Sequence, residues 1–537
     1  MAASNPPLPV ALFGVETEYA LSLWNQRRKT MPTEHAAEVL LQQMRLRPRL
    51  PRDEVSGFFL SNGGRFYVDC GAHPEYCTPE VTNPTDVVRH VAAGDRMLGE
   101  AVAAARESDP RLVRSLLTRS NVDFSGSENT WGQHESYLCR RHIGEVANGL
   151  VPHMTTRIVY SGAGGFDNRG AGMHFVLSPR AMHLCAVISP CSTDARGIIH
   201  TRDESLSNPP WHRLHMTYGE ALCSQLALFL KVGTTSLVVL TLDYNPQAFA
   251  ALALADPLAA AHAVARDPSV RKPLRLADGR ELGVVDIQRG ILEVVERYAA
   301  ELTFPDWTDD VCRRWRGILD ALSRDPMETV GKLDWTTKLA LYRDRLERAG
   351  FTEDEQARCN EVRERVEAAP PEEQDPGGAK QPHPARLHKA TTWYDGNKLR
   401  MAHREAERAG MSMDQLQRFD LVRSQLFEVD CRFAALGDEG IFETLDCAGV
   451  LSHRIVSDEE IARAMVEPPQ DTRARRRGRA VTELADAAEE ESHCGWTYVV
   501  HGGRQLALHD PLRHDVEWEP RAALDGDEPG VEVVALP

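Results

Sequence analysis

Residues 62–80 read NGGRFYVDCGAHPEYCTPE. Asn62-Gly63-Gly64 is a turn or bulge signal between two β-type runs, Phe58 to Leu60 and Arg65 to Asp69. Alternate side chains of a strand share a face about 7 Å apart. Arg65, Tyr67 and Asp69 therefore line one side, and Phe66 and Val68 face a core. A cation, a phenol and a carboxylate on one open face pack a sheet poorly, but they suit a polyphosphate and its metal. A solvent-facing strand with an ion pair satisfies the same local pattern, and the strand alone favours it.

Upstream, residues 8–20 read as a strand ending in Glu16-Thr17-Glu18, a second pair of acidic positions two apart. Mg²⁺ prefers hard oxygen ligands and takes one or two carboxylates plus phosphate and water. Glu16, Glu75 and Glu80 are candidates to supply them. Downstream, His134-Glu135 in GQHESY (132–137) cannot open a zinc-type H-E-x-x-H motif, because Leu138 stands where the second histidine is required. Arg202 and Arg213 are candidate phosphate clamps. A buried ion pair with Asp203 or Glu204 explains either arginine equally well. Arg473, in PPQDTRARRRG (468–478), is a further candidate, though a solvated basic turn accounts for that run locally.

Periodicity predicts helices over 33–46, 84–106, 286–302, 307–324 and 405–435, with short β-type runs between 156 and 196. Residues 218–242 are mixed: Ala221 to Val232 is helical in composition, whereas Thr234 to Leu242 is β-rich. The segment 352–387 turns to Glu, Arg, Pro and Gly. Its first half reads as a solvated helix and its second as a disordered loop. A smaller unit begins near 457 with a helix, followed by the basic run Arg473 to Arg479 and a strand at Trp496 to Val500.

The chain has 537 residues, 42% of them apolar, enough for two or three domains with a sizeable core. A formal charge of −17 argues against a general nucleic-acid or anionic-membrane binder. Only 8 of the 62 basic residues are lysine, which reads first as an arginine-rich genome composition. The 11 cysteines show no C-x-x-C or paired metal spacing, so reduced thiols in a cytoplasm are expected. No signal peptide is expected, because the apolar stretch Pro9 to Val15 lacks a basic start and breaks at Glu16. No window is read as reaching the roughly 18 apolar residues of a membrane helix. The sequence also lacks a G-x-S-x-G, a P-loop and a convincing G-x-G-x-x-G after a strand.

In this order the clusters resemble the Pup ligase and Pup deamidase (depupylase) family, Pup being the prokaryotic ubiquitin-like protein. The matching stretches are GVETEYA (14–20), NGGRFYVDCGAHPEYCTPE (62–80), NVDFSG (121–126), WGQHESYL (131–138), HTRDE (200–204) and HRLH (212–215). LKVGTTSLVV (230–239), PPQDTRARRRG (468–478), Trp496 and HDPLR (509–513) complete the set. The resemblance implies an α+β, glutamine synthetase-like fold, with a curved, mostly antiparallel sheet backed by helices. It implies a catalytic domain over 1–456, with 352–387 as a flexible insertion, and a small C-terminal α/β domain over 457–537. It also implies a helix over 219–242. By this resemblance Glu16, Tyr67 and Glu75 hold Mg²⁺, and Arg65, Thr78 and Trp496 contact ATP. Asp69 is the catalytic carboxylate; Arg202, Arg213 and Arg473 stay candidates for the nucleotide's phosphates from the local sequence.

The implied activity joins the C-terminal glutamate of a Pup-like modifier to a lysine of a substrate protein through a γ-glutamyl phosphate. No nucleic acid or membrane partner is expected, and a cytoplasmic location is expected. Alternatives are deamidation or depupylation of the same modifier, small-molecule carboxylate–amine ligation, or a non-catalytic binding module. Two features resemble the ligase branch: only residues 20–61 separate the first strand from R-x-Y-x-D, and three residues separate Asp69 from His73.

Overall fold

The computed structural model describes residues 11–51, 57–124, 129–191, 195–201, 206–368, 397–437, 439–485 and 492–521. The second half of 352–387 falls outside them, whereas its first half is the helix Glu353–Ala368. Among the described residues, nine strands form the main sheet. Their order is Ala186–Ser189, Gly197–His200, His212–Met216, Gln133–Cys139, Phe13–Glu18, His73–Cys77, Arg65–Asp69, Gly57–Leu60 and Arg49–Pro51. The first pair is parallel and all other neighbours are antiparallel. The class is mixed α+β, a large sheet backed by helices.

Alternation decides which face the helices cover. Phe13, Val15, Tyr137, Leu214 and Met216 are buried in one continuous core with helices Pro84–Ser108, Ile143–Thr156 and Gln225–Tyr244. Phe58, Phe66 and Tyr76 form a second core on the same face against helix Thr33–Met44. The intervening residues, including Glu16, Tyr67 and His134, stand on the opposite face. Helix Pro84–Ser108 starts where Asn83 accepts a hydrogen bond from Thr85 N at 2.8 Å and Pro84 takes the first turn.

The predicted strand 8–20 is two strands, Phe13–Glu18 and Ala20–Asn25, which part at the fully buried Tyr19. The predicted helix 405–435 is likewise two, Asn397–Arg408 and Met413–Phe433, separated by Gly410 at φ +66°. With Glu353–Ala368 they pack a small helical core of their own. The 156–196 region begins with a helical turn at Ile158–Ser161 before its short strands.

The helix expected over 219–242 is observed at Gln225–Tyr244; residues 219–224 are not helical. Its β-rich half is helical because burial on all sides outweighs propensity. Thr234, Thr235 and Thr241 return their hydroxyl protons to the carbonyls four residues earlier. By length and a mean hydropathy of 1.6 this helix is apolar enough to cross a membrane, which the sequence reading did not register. It is the protein's central core helix, and 94% of that window is buried inside the fold.

Near the C-terminus, Ile461 and Ala464 of helix Asp458–Ala464 join the main core. The basic run forms helix Ala474–Glu483 rather than a solvated turn. A four-stranded antiparallel sheet, Ser492–Cys494, Tyr498–His501, Arg504–Ala507 and Glu519–Pro520, follows it. Its core includes Leu50 and Phe59 from the edge of the main sheet, so this unit seals one end of that sheet.

Candidate active site

Pairing register brings residues distant in sequence into rows on the open face, since directly paired residues point the same way. Glu16 stands opposite Cys77 on one side and His134 on the other, and Cys77 in turn faces Arg65. In the next row Glu75 stands between Tyr67 and Glu18. In the row on the other side Gly14, Ser136, His215 and His200 follow one another across four strands.

These rows floor a cavity of about 360 Å³. Glu16, Arg65, Tyr67, Asp69, Glu75, Thr78, Arg213, Arg473 and Trp496 all line it, so nine sequence-predicted residues converge in one place. Arg202 lies outside the described residues. Asp69 is exposed at the end of its strand, where Gly71 and Ala72 both adopt positive φ and turn the chain towards His73. Thr78 is held by Val15 N, which donates to Oγ1 at 3.1 Å. Arg65 is buried, its guanidinium 4.0 Å from the Tyr67 ring centroid, and its Nε has no hydrogen-bond partner. Arg213 Nε donates to Ser136 Oγ at 3.0 Å.

The acidic groups carry the strongest electrostatic signal. Burial works to raise the Glu16 pKa, but the hydrogen bond and charge of His134, then His215 and Arg213, hold it well below the usual carboxylate value. Glu75 is pushed well above its ordinary value by burial, then by the charges of Glu16 and Glu18. Glu75 is only 1% exposed and both its carboxylate oxygens lack a partner. The adjacent Tyr67 hydroxyl donates its one proton to Glu16 and so leaves Glu75 unserved. Burial, followed by Cys77, Glu16 and Glu75, keeps that phenol protonated. A buried carboxylate with two orphaned oxygens beside a second carboxylate is unfavourable alone. A hard divalent cation would relieve it, and the all-oxygen donor set of Glu16, Glu75 and Tyr67 fits one.

Glu80 is not available to a metal. Arg473 Nε donates to its Oε1 at 2.7 Å, and Arg477 Nη2 to its Oε2. Arg473 Nη1 also holds the carbonyls of Leu206 and Leu508, so although this side chain lines the cavity, most of its donors are already used. Arg477 is fully buried and also donates to Gly63 O at 2.9 Å and Trp496 O at 3.3 Å. Its guanidinium lies 4.8 Å from the Trp496 ring centroid. Gly63, at φ +81°, approaches so closely that a Cβ would meet Ala474 O at 2.9 Å. The Asn62-Gly63-Gly64 turn therefore docks the C-terminal unit and sets Trp496 at the cavity wall.

Burial tends to raise the Glu80 pKa, but Arg477 and Arg473 lower it from 4.5 to about 2. A depressed carboxylate stabilises the fold fully above its unfolded value near 4.5, and that contribution is lost as pH falls through about 2. The loss amounts to about 3 kcal/mol, at 1.36 kcal/mol per unit. Acid titration of wild type and Glu80→Gln by circular dichroism should show a smaller loss of stability between about pH 4.5 and 2 in the variant.

Glu18, His134, His215 and Arg477 lie in stretches the sequence singled out but were given no role in the site. Alternation with Glu16 placed Glu18 on the same face, but only the cross-strand pairing shows what faces these four residues. Behind His134, Glu135 is fully buried and accepts both Arg157 Nη1 and Nη2, at 2.8 and 2.6 Å, with Lys231 Nζ at 3.4 Å. This network fixes the strand that carries His134 and Ser136 into the cleft.

A helix-backed sheet with a carboxylate-lined open face and a C-terminal unit at its end defines an enzyme class, the ATP-dependent carboxylate–amine ligases. Within it, the chain belongs to the Pup-ligase protein family, whose sequence profile matches residues 11–362 and 381–500. It is 29% identical over 523 residues to a Pup–protein ligase of Acidimicrobium ferrooxidans, covering 95% of this chain and 98% of that relative. It is 32% identical over 500 residues to a Pup deamidase/depupylase of Mycolicibacterium smegmatis, covering 91% of this chain and 85% of the relative. The fold matches that of the ligase PafA in its complex with Pup, with a TM-score of 0.70 at 23% identity over 94% of this chain and 90% of that one. It also matches PafA in complex with ADP, with a TM-score of 0.65 at 24% identity over 86% of this chain and 88% of that one.

Proposed function

We propose that this chain is an ATP-dependent ligase that forms an isopeptide bond between the C-terminal glutamate side chain of a Pup-like modifier and a lysine of a substrate protein. The observation that carries the proposal is the convergence of Asp69, Arg65, Thr78, Glu16, Tyr67 and Glu75 on one cavity wall, with Trp496 closing it from the C-terminal unit. A residues 1–456 catalytic unit with a smaller C-terminal unit is the division we adopt for this chemistry. Ten free cysteines among the described residues fit a cytoplasmic setting.

Each side chain has a definite task. Arg65 and Arg213 offer positive charge to the phosphates, Thr78 a hydroxyl, and Trp496 an aromatic face for the base. Glu16, Tyr67 and Glu75 would hold Mg²⁺, which when bound neutralises phosphate charge. The modifier's glutamate carboxylate takes the γ-phosphoryl group, with ADP leaving. The lysine nitrogen then attacks the acyl carbon and inorganic phosphate departs. A protonated ammonium has no lone pair, so Asp69 accepts the amine proton. The acyl phosphate needs shielding from water, which would otherwise hydrolyse it.

The ligase reading is favoured over the amidase by the short 20–61 connection and by the near-complete coverage of the ligase relative. The test is incubation with ATP, Mg²⁺, a Pup-like peptide ending in glutamate and a lysine-bearing acceptor. The expected product is an acceptor heavier by the peptide less one water, with one ADP per bond. Deamidation of a glutamine-ending peptide without conjugate would replace this reading with the amidase. ADP release without any protein conjugate would favour a small-molecule acceptor.

A further inference from the structure

We propose that Trp131 and His73 form an aromatic wall along which the acceptor's lysine side chain reaches Asp69, and that this wall selects the acceptor. The inference rests on the proposed function and gives its second substrate a place. Register puts Asp69 directly opposite His73, so both stand on the open face one row beyond Tyr67 and Glu75. Glu18, which faces Glu75, meets the chain just past Trp131: Gly132 N donates to Glu18 Oε2 at 2.6 Å, and Glu18 N to Gly132 O at 3.0 Å. The His73 and Trp131 rings lie 5.4 Å apart at an angle of 39°. Asp69, His73 and Trp131 thus gather at one end of the cleft. At the other end of the His73–Cys77 strand, Thr78 lines the part assigned to the nucleotide, so the acceptor approaches from the side opposite to ATP.

Neither ring serves a core. Both residues are half-buried, and neither belongs to the hydrophobic clusters among the described residues. Yet the backbone that carries Trp131 is firmly held. Trp131 N donates to Asn121 O at 3.1 Å, and the Asn121 side chain is paired with the Ala221 backbone at 2.9 and 3.2 Å. The buried Arg180 donates to Thr130 Oγ1 at 3.0 Å and to Thr217 O at 2.8 Å, and a Cβ at Gly132 would meet its guanidinium at 2.6 Å. A large aromatic fixed in place at the mouth of a site, yet left out of the core, is preorganised for contact. A lysine side chain offers what such a wall takes. Its four-carbon stem packs on an aromatic ring, and its ammonium is drawn to the ring face, tryptophan attracting it most. The exposed Asp69 beside the wall then receives the amine proton.

The test compares a lysine-bearing acceptor with hydroxylamine, an amine without a stem. Its nitrogen attacks the same acyl carbon, inorganic phosphate departs and a hydroxamate forms. Full-length wild type, Trp131→Ala, Trp131→Phe and His73→Ala are assayed with ATP, Mg²⁺ and the glutamate-ending peptide. Trp131→Ala should raise the KM for the lysine acceptor about tenfold and lower the ratio of lysine to hydroxylamine kcat/KM by the same factor, the size of one cation–π contact. Trp131→Phe keeps an aromatic face and should recover most of that ratio. His73→Ala should lower it about threefold, and it reads the same wall if circular dichroism shows Trp131→Ala to be unfolded. A wild-type ratio in every folded alanine variant overturns the wall. So does a rise in KM for the modifier peptide in place of the acceptor. If wild type itself forms neither conjugate nor hydroxamate, the proposed function falls and this inference with it.

Discussion

Asp69→Asn is expected to slow conjugate formation by about 10²–10⁴-fold, the range for losing a general base, while nucleotide binding and stability stay as in wild type. Asp69 is exposed, ends its strand, and makes no capping hydrogen bond to the turn that follows. Its removal therefore strands no buried partner, and the cost to folding should lie within about 0.5 kcal/mol. The carboxamide keeps the shape but cannot accept the amine proton. The rate deficit should shrink as pH rises towards the lysine value of about 10.4, because bulk water then delivers more of the unprotonated amine. Acceptor mass shift at saturating ATP and peptide, followed over pH, measures this. A wild-type rate at neutral pH would remove Asp69 from proton transfer.

Glu80→Ala should act through the fold. It leaves the Arg473 and Arg477 guanidiniums buried without their shared counter-charge, a change that costs about 3–5 kcal/mol when a buried pair is broken. Arg477 also holds Gly63 O and Trp496 O, so the seam between the main sheet and the C-terminal unit should loosen. We expect a lower urea midpoint and a larger loss in nucleotide affinity than in turnover at saturating ATP, since Trp496 lines the cavity from the C-terminal unit. A midpoint equal to that of wild type would mean that the Glu80–arginine cluster does not hold the units together.

The strand Arg65–Asp69 was legible because its period of two shows in the residues themselves: Phe66 is buried, and Arg65, Tyr67 and Asp69 line the cavity. Amphipathic helices such as Val284–Glu301 and Thr308–Arg324 were legible for the same reason, each having an apolar stripe at its own spacing. Gln225–Tyr244 was not, because a helix buried on every side carries no stripe. Glu80 misled because an acidic residue near a metal motif looks alike whether it faces a cation or two arginines 390-odd positions away.

The chain's sequence by itself determined the strand faces, because side-chain alternation and turn chemistry are local properties written within a few residues, and the α+β class followed from its family motifs. Only the tertiary structure decided which carboxylates meet. Cross-strand register sets Glu16 between Cys77 and His134 and Glu75 between Tyr67 and Glu18. Register depends on how separate segments bury their other faces, and no single segment encodes that.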